Sequence, residues 1–381
     1  MKKLCAIANV WGRHQAYIPL YVLSWHRAYP DVDIRIYLND TIPPHVRKSL
    51  DYLNVYDHVT IIEDSGKLVG LSEKVLKSKP NKITRSLRWL VFEPVFMEYE
   101  SLYISDIDIV IAKEPISLYE QHMRHCSYLR LPYSNIVRRE PVCDAQTGRM
   151  WHRLTGLHFV QTKEYMQAIM TVRDKLVREV NLLADNESEM YELKCFRDEF
   201  LLYDLVRLAG LGLPGDTPPP DIKSIQQQII TQPYVINPEQ INFRPHHGLH
   251  LGLARGDGSL LHGAWNATYK AYYLDFMDLA ATKEYKEIER YFPAWLNEQI
   301  DRFHEIGKSS LKTESKDYAD KADTKVNPTK GMHKIHARHN RRMPMRIVSL
   351  VRKIVNSHPA IKFCYMHFMK AIRKVMRRGA Y

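Results

Sequence analysis

Leu102-Tyr103-Ile104-Ser105-Asp106-Ile107-Asp108-Ile109-Val110 is an apolar run that ends on two carboxylates one residue apart. Its β-branched and aromatic residues predict a strand over Leu102 to Asp106. In an open α/β sheet, ligands bind beyond the carboxyl ends of the strands, which is where this run delivers its acids. Residues two apart on an extended chain share a face, so Asp106 and Asp108 can converge on one cation. Hard carboxylate oxygens suit Mg²⁺ or Mn²⁺, and such an ion can bridge to diphosphate oxygens.

The hundred residues before this run alternate short apolar segments with amphipathic ones, the pattern of strands joined by helical crossovers. Further strands are predicted at Leu4 to Asn9, Asp33 to Leu38 and Val59 to Ile62. A helix from Tyr17 carries Ile18, Tyr21, Val22 and Trp25 at helical spacing and stops before Pro30. A second helical stretch, Thr84 to Tyr99, contains Pro94 and must kink or restart there. After the acids, strands are predicted at Ser127 to Leu131 and Gly156 to Gln161. Helices follow at Lys163 to Leu183 and Asp198 to Leu208, then a Gly/Pro-rich connection from Gly210 to Pro220.

With its apolar strand leading into Asp-x-Asp, the segment resembles the DxD motif of GT-A glycosyltransferases, especially family 8 and related bacterial polysaccharide enzymes. The likeness runs from about Leu4 to Asn266, by order of elements more than by identity, and only the DxD region is specific. It implies a GT-A fold: a Rossmann-like mixed sheet flanked by helices. It also implies transfer of a sugar from a nucleotide-sugar donor, with Mn²⁺ or Mg²⁺ as cofactor.

The same resemblance suggests residues for the site. Arg88, with Arg85 one turn earlier, occupies the place of an arginine that approaches the donor's phosphates. Asn9, ending the first strand, matches the position that receives the nucleotide. Gly156 lies in a stretch similar to the strand lining the sugar pocket, although a β-bulge explains a glycine there equally well. Asp198 or Glu199 stands where similar enzymes keep a group near the reacting carbon, and acids in a first helical turn are also favoured by the helix dipole. The family's third metal ligand is a late histidine beside glycine. Here His247 and His250 lie in Arg244-Pro245-His246-His247-Gly248-Leu249-His250-Leu251-Gly252, which departs from the family pattern of His, two residues, Gly, then Lys. Arg255 is a further candidate for a phosphate oxygen.

Of the 55 Lys and Arg in the 381 residues, 15 follow Asp323 with no acidic residue among them, leaving 40 basic against 43 acidic in the rest. The net charge of +12 is therefore a property of the tail. The expected organisation is a catalytic domain over residues 1–305, a polar flexible linker over 306–342 and a basic amphipathic helical tail over 343–381. Ile347, Leu350, Val351 and Ile354 form one apolar stripe in that tail, and Ile361, Tyr365, Phe368 and Ile372 another. Cations beside such stripes suit the interface of an anionic membrane, with docking of the stripe onto the catalytic domain or a partner as the alternative. No base-reading motif accompanies the charge, so nucleic acid is the least supported partner.

Five scattered cysteines without CxxC spacing suggest neither a disulfide framework nor a zinc cluster. The N-terminal apolar run is too short for a signal peptide. These features predict a cytoplasmic enzyme, peripheral at the inner face of the membrane, acting on a surface polysaccharide or a lipid-linked acceptor. Two rivals use a similar sheet: a sugar nucleotidyltransferase, for which Trp11-Gly12-Arg13-His14 is a poor phosphate loop, and an inactive nucleotide-sugar fold serving as a membrane adaptor.

Overall fold

The computed structural model describes residues 1–78, 85–137, 142–143, 150–183, 198–214, 247–254 and 267–323. Six strands form the main sheet: β1 (Lys2–Val10), β2 (Asp33–Leu38), β3 (Val59–Ile62), β4 (Tyr99–Ser105), β6 (Tyr133–Ser134) and β9 (His158–Gln161); β7 (Val142–Cys143) and β8 (Met150–Trp151) form a separate antiparallel pair. Their order is β3-β2-β1-β4-β9-β6. β3, β2, β1 and β4 are mutually parallel, while β9 runs antiparallel to both β4 and β6. The sheet is therefore the mixed, helix-flanked one expected from the sequence. β2 and β3 have the predicted bounds, and β1 and β4 run slightly longer at their amino ends.

Period-two alternation explains why both faces are covered. Along β1, Leu4, Ala6, Ala8 and Val10 enter one core while Cys5 and Ile7 enter the other. The first core is roofed by α1 (Ile18–Ala28) and by the later helices α8 (Ala267–Ala280), α9 (Lys283–Glu289) and α10 (Ala294–Asp323). Between α1 and these lie the short α2 (Pro44–Leu53), α3 (Ser65–Val69) and α4 (Glu73–Ser78). The second core is closed by α6 (Thr162–Leu183) and α7 (Asp198–Leu208), through Tyr165, Met166, Ile169, Leu202 and Leu205.

Three local readings change. The stretch read as a strand at Ser127 to Leu131 mostly belongs to helix α5 (Leu118–Leu129). Ser117 caps that helix, accepting from the Glu120 N–H at 3.2 Å while the Glu120 carboxylate accepts from the Ser117 N–H. Its buried residues Leu118, His122, His125, Cys126 and Leu129 then share one stripe. Of the helix expected over Thr84 to Tyr99, Arg85 and Ser86 are helical, and from Leu87 it gives way to two 3₁₀ turns, Leu87–Trp89 and Pro94–Glu98. Leu87 through Val91 are all buried, which leaves no solvent face, and Pro94 cannot donate to a continuing helix. Finally, α10 carries the chain in helical form to Asp323, past residue 306 where the polar linker was expected to begin.

The chain divides into two compact units, residues 1–317 and 318–381. Of the second, residues 318–323 are described, so the basic tail over 343–381 lies outside the described residues. Among the described residues no helix is long and apolar enough to cross a membrane.

Histidines in the interior make the fold sensitive to acid. Burial pushes His125 and His158 down to about 3 from their ordinary value near 6.5. His158 Nδ1 lies 2.9 Å from the Asn135 side-chain amide, a donor that suits the neutral ring. An unfolded chain would protonate both rings below about pH 6.5 and the folded chain would not. Stability is thus fully present above that value and falls as pH drops toward 3, by up to about 1.4 kcal/mol per pH unit for each ring. Thermal unfolding should show the midpoint falling between pH 6.5 and 4.5, with a shallower slope in His125→Gln.

Candidate metal and donor site

The parallel strands end together, and β1 and β4 lie side by side with Ala8 opposite Ser105. Asn9 on β1 and Asp106 after β4 are the next residues along. Asn9 is buried at this edge. The main strand stops at Ser105 and the chain turns through Ile107 and Asp108 before entering β5 (Ile109–Ile111). The two carboxylates therefore converge through a turn and not through the pleat of an extended strand. Tyr21 Oη lies 2.7 Å from Ser105 Oγ, and Ser24 Oγ accepts from the Ile111 N–H at 3.0 Å, so α1 braces both sides of that turn.

β5 pairs antiparallel with β10 (Gly248–His250), placing His250 opposite Ile109 and Gly248 opposite Ile111. This brings His250 Nε2 to 3.1 Å from Asp108 Oδ1. Asp106, Asp108 and His250 each offer a ligand atom, and the three atoms lie within 4.8 Å of one another. Two carboxylates and an imidazole form a donor set that suits Mn²⁺ and also tolerates Mg²⁺. The surroundings fit as well: a Cβ built on Gly252 would stand 2.6 Å from Asp108 Oδ2 and 3.0 Å from His250 Nε2. Glycine at 252 leaves the ligand atoms room.

His247 takes no part in this group. It is fully buried, with Nδ1 3.1 Å from Glu114 Oε2 and Nε2 3.0 Å from His122 Nε2. Alternate residues of β10 point to opposite sides and Gly248 starts the strand, so His247 and His250 cannot both reach the carboxylates.

Arg88 is the hub of the neighbouring polar cluster. Its Nη1 donates to Asp106 Oδ1 at 2.5 Å, and its Nε and Nη2 fork onto Asp198 at 3.1 and 2.8 Å. Trp89 Nε1 adds a bond to Asp198 at 3.0 Å, and the guanidinium lies 4.4 Å from the Trp89 ring centre. Burial works against the Arg88 charge, but Asp106 and Asp198 outweigh it and raise the pKa. Burial raises the Asp198 pKa, and Arg88 offsets only part of that.

Gly156 sits against this hub. A Cβ there would meet Arg88 Nη2 at 2.9 Å and Asp106 Oδ2 at 3.6 Å. Its N–H donates to Glu199 Oε1 at 3.1 Å, and Arg153 Nη1 lies 3.5 Å from Glu199 Oε2. The structure thus brings together Asp106, Asp108, His250, Arg88, Gly156, Asp198 and Glu199. Arg85 is exposed, its guanidinium 5.9 Å from the ring centre of Trp11, just beyond β1. Arg255 lies outside the described residues. Sequence reading missed Trp89, Arg153 and Gly252, for which spacing along the chain gives no signal.

No protein-family model and no curated protein matches the sequence. Among solved structures the chain is similar to the galactosyltransferase LgtC in complex with donor and acceptor sugar analogs, at 10% identity over 46% of this chain and 66% of that one, TM-score 0.25. It is also similar to the glycosyltransferase GlyE of Streptococcus pneumoniae TIGR4, at 15% identity over 52% and 44%, TM-score 0.28. A third likeness is to mouse xyloside xylosyltransferase 1, at 12% identity over 55% and 81%, TM-score 0.28. The chain spans less than two thirds of the length of the first two.

Replacing Arg88 with Met should cost about 2 kcal/mol in urea unfolding at pH 7. That is less than the roughly 3–5 of a fully enclosed pair, because Asp106 and Asp198 are partly open to water. The loss should shrink as pH falls and Asp198 protonates.

Proposed function

We propose that this protein is a GT-A glycosyltransferase that moves a sugar from a nucleotide-sugar donor with the help of Mn²⁺ or Mg²⁺. The observation that carries the reading is the convergence of Asp106, Asp108 and His250 within 4.8 Å at the carboxyl edge of the sheet. The sequence resemblance of the 102–110 segment to the DxD strand supports it from a second direction. Asp106, Asp108 and His250 would hold the ion. When bound, it would supply positive charge against the negative charge gained by the departing diphosphate.

Arg88, adjoining the same carboxylate, would set positive charge beside a donor phosphate, and the Asp198 fork fixes its plane. Asp198 therefore serves better as the orienting group than as a base. Glu199, turned toward Gly156, is the carboxylate left for contact with the transferred sugar. Gly156 lets a ligand come close to the backbone beside Arg88. Asn9 and the exposed Arg85 over Trp11 would serve the nucleotide in this reading.

The acceptor in this reading is a surface glycan or a lipid-linked sugar, and the basic tail over 343–381 would hold the enzyme on the cytoplasmic face of an anionic membrane. Each tail cation near such a surface contributes about 1 kcal/mol.

Nucleotide-sugars screened for Mn²⁺-dependent hydrolysis should yield at least one substrate, and Asp108→Ala should lower that rate on the order of a hundredfold. Undiminished activity in the variant would remove the metal role. For the tail, flotation with phosphatidylserine vesicles should recover the full chain and lose a chain ending at Asp323. Equal recovery of both would sink the membrane assignment.

A further inference from the structure

A second polar assembly is buried behind β10. Glu114, just past β5, has Oε2 3.1 Å from His247 Nδ1, and it also accepts from Tyr272 of α8 and Gln121 of α5. His247 Nε2 lies 3.0 Å from His122 Nε2, and His122 and His125 both bring Nδ1 to 2.8 Å from Ser134 Oγ on β6. Glu114, His122, His125, Ser134 and His247 are each at most 5% exposed. His122 stacks on Phe159 with ring centres 4.7 Å apart. None of these groups belongs to the metal or donor cluster.

Their position relative to the β5–β10 ladder is what gives them a role. The ladder has three paired positions, extended by Ala112 N–H to His247 O at one end and Leu251 N–H to Asp108 O at the other. At each end a carboxylate from the β5 side meets an imidazole from the β10 side at 3.1 Å: Asp108 with His250, and Glu114 with His247. The first pair is partly open to solvent and the second is enclosed. Between them Gly248 passes so close to β5 that a Cβ would stand 1.9 Å from Val110 O.

So short a ladder has little backbone bonding to fix its register, and a slip of one residue turns every β10 side chain to the other face. We infer that Glu114 and His247 are positioning residues for the proposed metal centre, an internal clasp that holds β10 in the one register where His250 meets Asp106 and Asp108. A slipped β10 would leave the Glu114 carboxylate buried without its imidazole and would drive Leu249 into the space that glycine now clears. Both costs act against slippage, and both lie away from the ligand atoms. The inference rests on the metal reading of Asp106, Asp108 and His250.

Mn²⁺ binding to the full chain, followed by electron paramagnetic resonance, separates the two ideas. The wild type should bind, and His250→Ala should bind more weakly. His247→Gln and Glu114→Gln should each lower affinity, roughly ten- to hundredfold, the range typical of groups that orient metal ligands. Combined with His250→Ala, His247→Gln should add no further loss, because it acts through His250; losses that multiply would mean a general structural role and overturn the clasp. Tyr272→Phe removes one bond to Glu114 while keeping the ring, and it should weaken binding by a smaller factor. Should the other variants fail to fold, unchanged affinity in Tyr272→Phe beside a sensitive His250→Ala would refute the clasp. A wild type that takes no Mn²⁺, or a His250→Ala as avid as wild type, would overturn the metal reading and the clasp with it.

Discussion

The β5–β10 ladder is the constraint on which the rest of the site depends. Asp108 and His250 are 142 residues apart in the chain and meet because two three-residue strands stay in register. Everything around the ladder restricts its freedom. Ser24 of α1 takes the Ile111 N–H on one side. Gln299 of α10, held by Tyr17, donates to Leu251 O on the other, and Arg302 reaches Ala254 O at 3.3 Å. Helices from both ends of the chain thus brace one small antiparallel pair. Site geometry on short strands is only as exact as its supports.

The same logic accounts for the charge at Arg88. A guanidinium at 6% exposure is costly to bury alone, yet two carboxylates, a tryptophan N–H and an aromatic face surround the cluster and leave its parts paired. Planarity matters here: the fork onto Asp198 fixes the orientation of the ion, and the remaining Nη1 must then point at Asp106. A lysine could match the charge but not that division of labour. The arrangement places positive charge directly beside Asp106.

Much of the sheet was legible in the sequence because parallel strands buried on both faces are written as dense apolar runs, and β1, β2 and β4 follow that rule. The places where reading failed have specific physical causes. Ser127 to Leu131 looks strand-like in isolation, but the capping box ten residues earlier had already started a helix. Leu87 to Val91 is buried on every side, so periodicity carries no information there. At the site, Asp106 and Asp108 follow from a local pattern and Arg88 from the family resemblance. The choice between His247 and His250 does not, since both lie within two residues of a glycine in one short segment and only the register of β10 against β5 assigns one to each side. Trp89 and Gly252 act through closeness in space that no spacing along the chain encodes.

The loop after β1 bears on the rival nucleotidyltransferase reading. A loop made to cradle phosphates keeps its backbone N–H groups for the ligand. Here Trp11-Gly12-Arg13-His14 enters a 3₁₀ turn, and the Gly12 N–H points at Asp40 Oδ2, 3.3 Å away. An acid of the protein's own stands where such a loop would receive an anion, and its charge would repel a second one. Arg13 leans over the Trp295 ring at 5.2 Å, away from any phosphate cradle in that turn. The cations and carboxylates that could manage a diphosphate gather instead around Asp106. That distribution supports the proposed reaction, in which the diphosphate departs from a sugar, over one in which it is built.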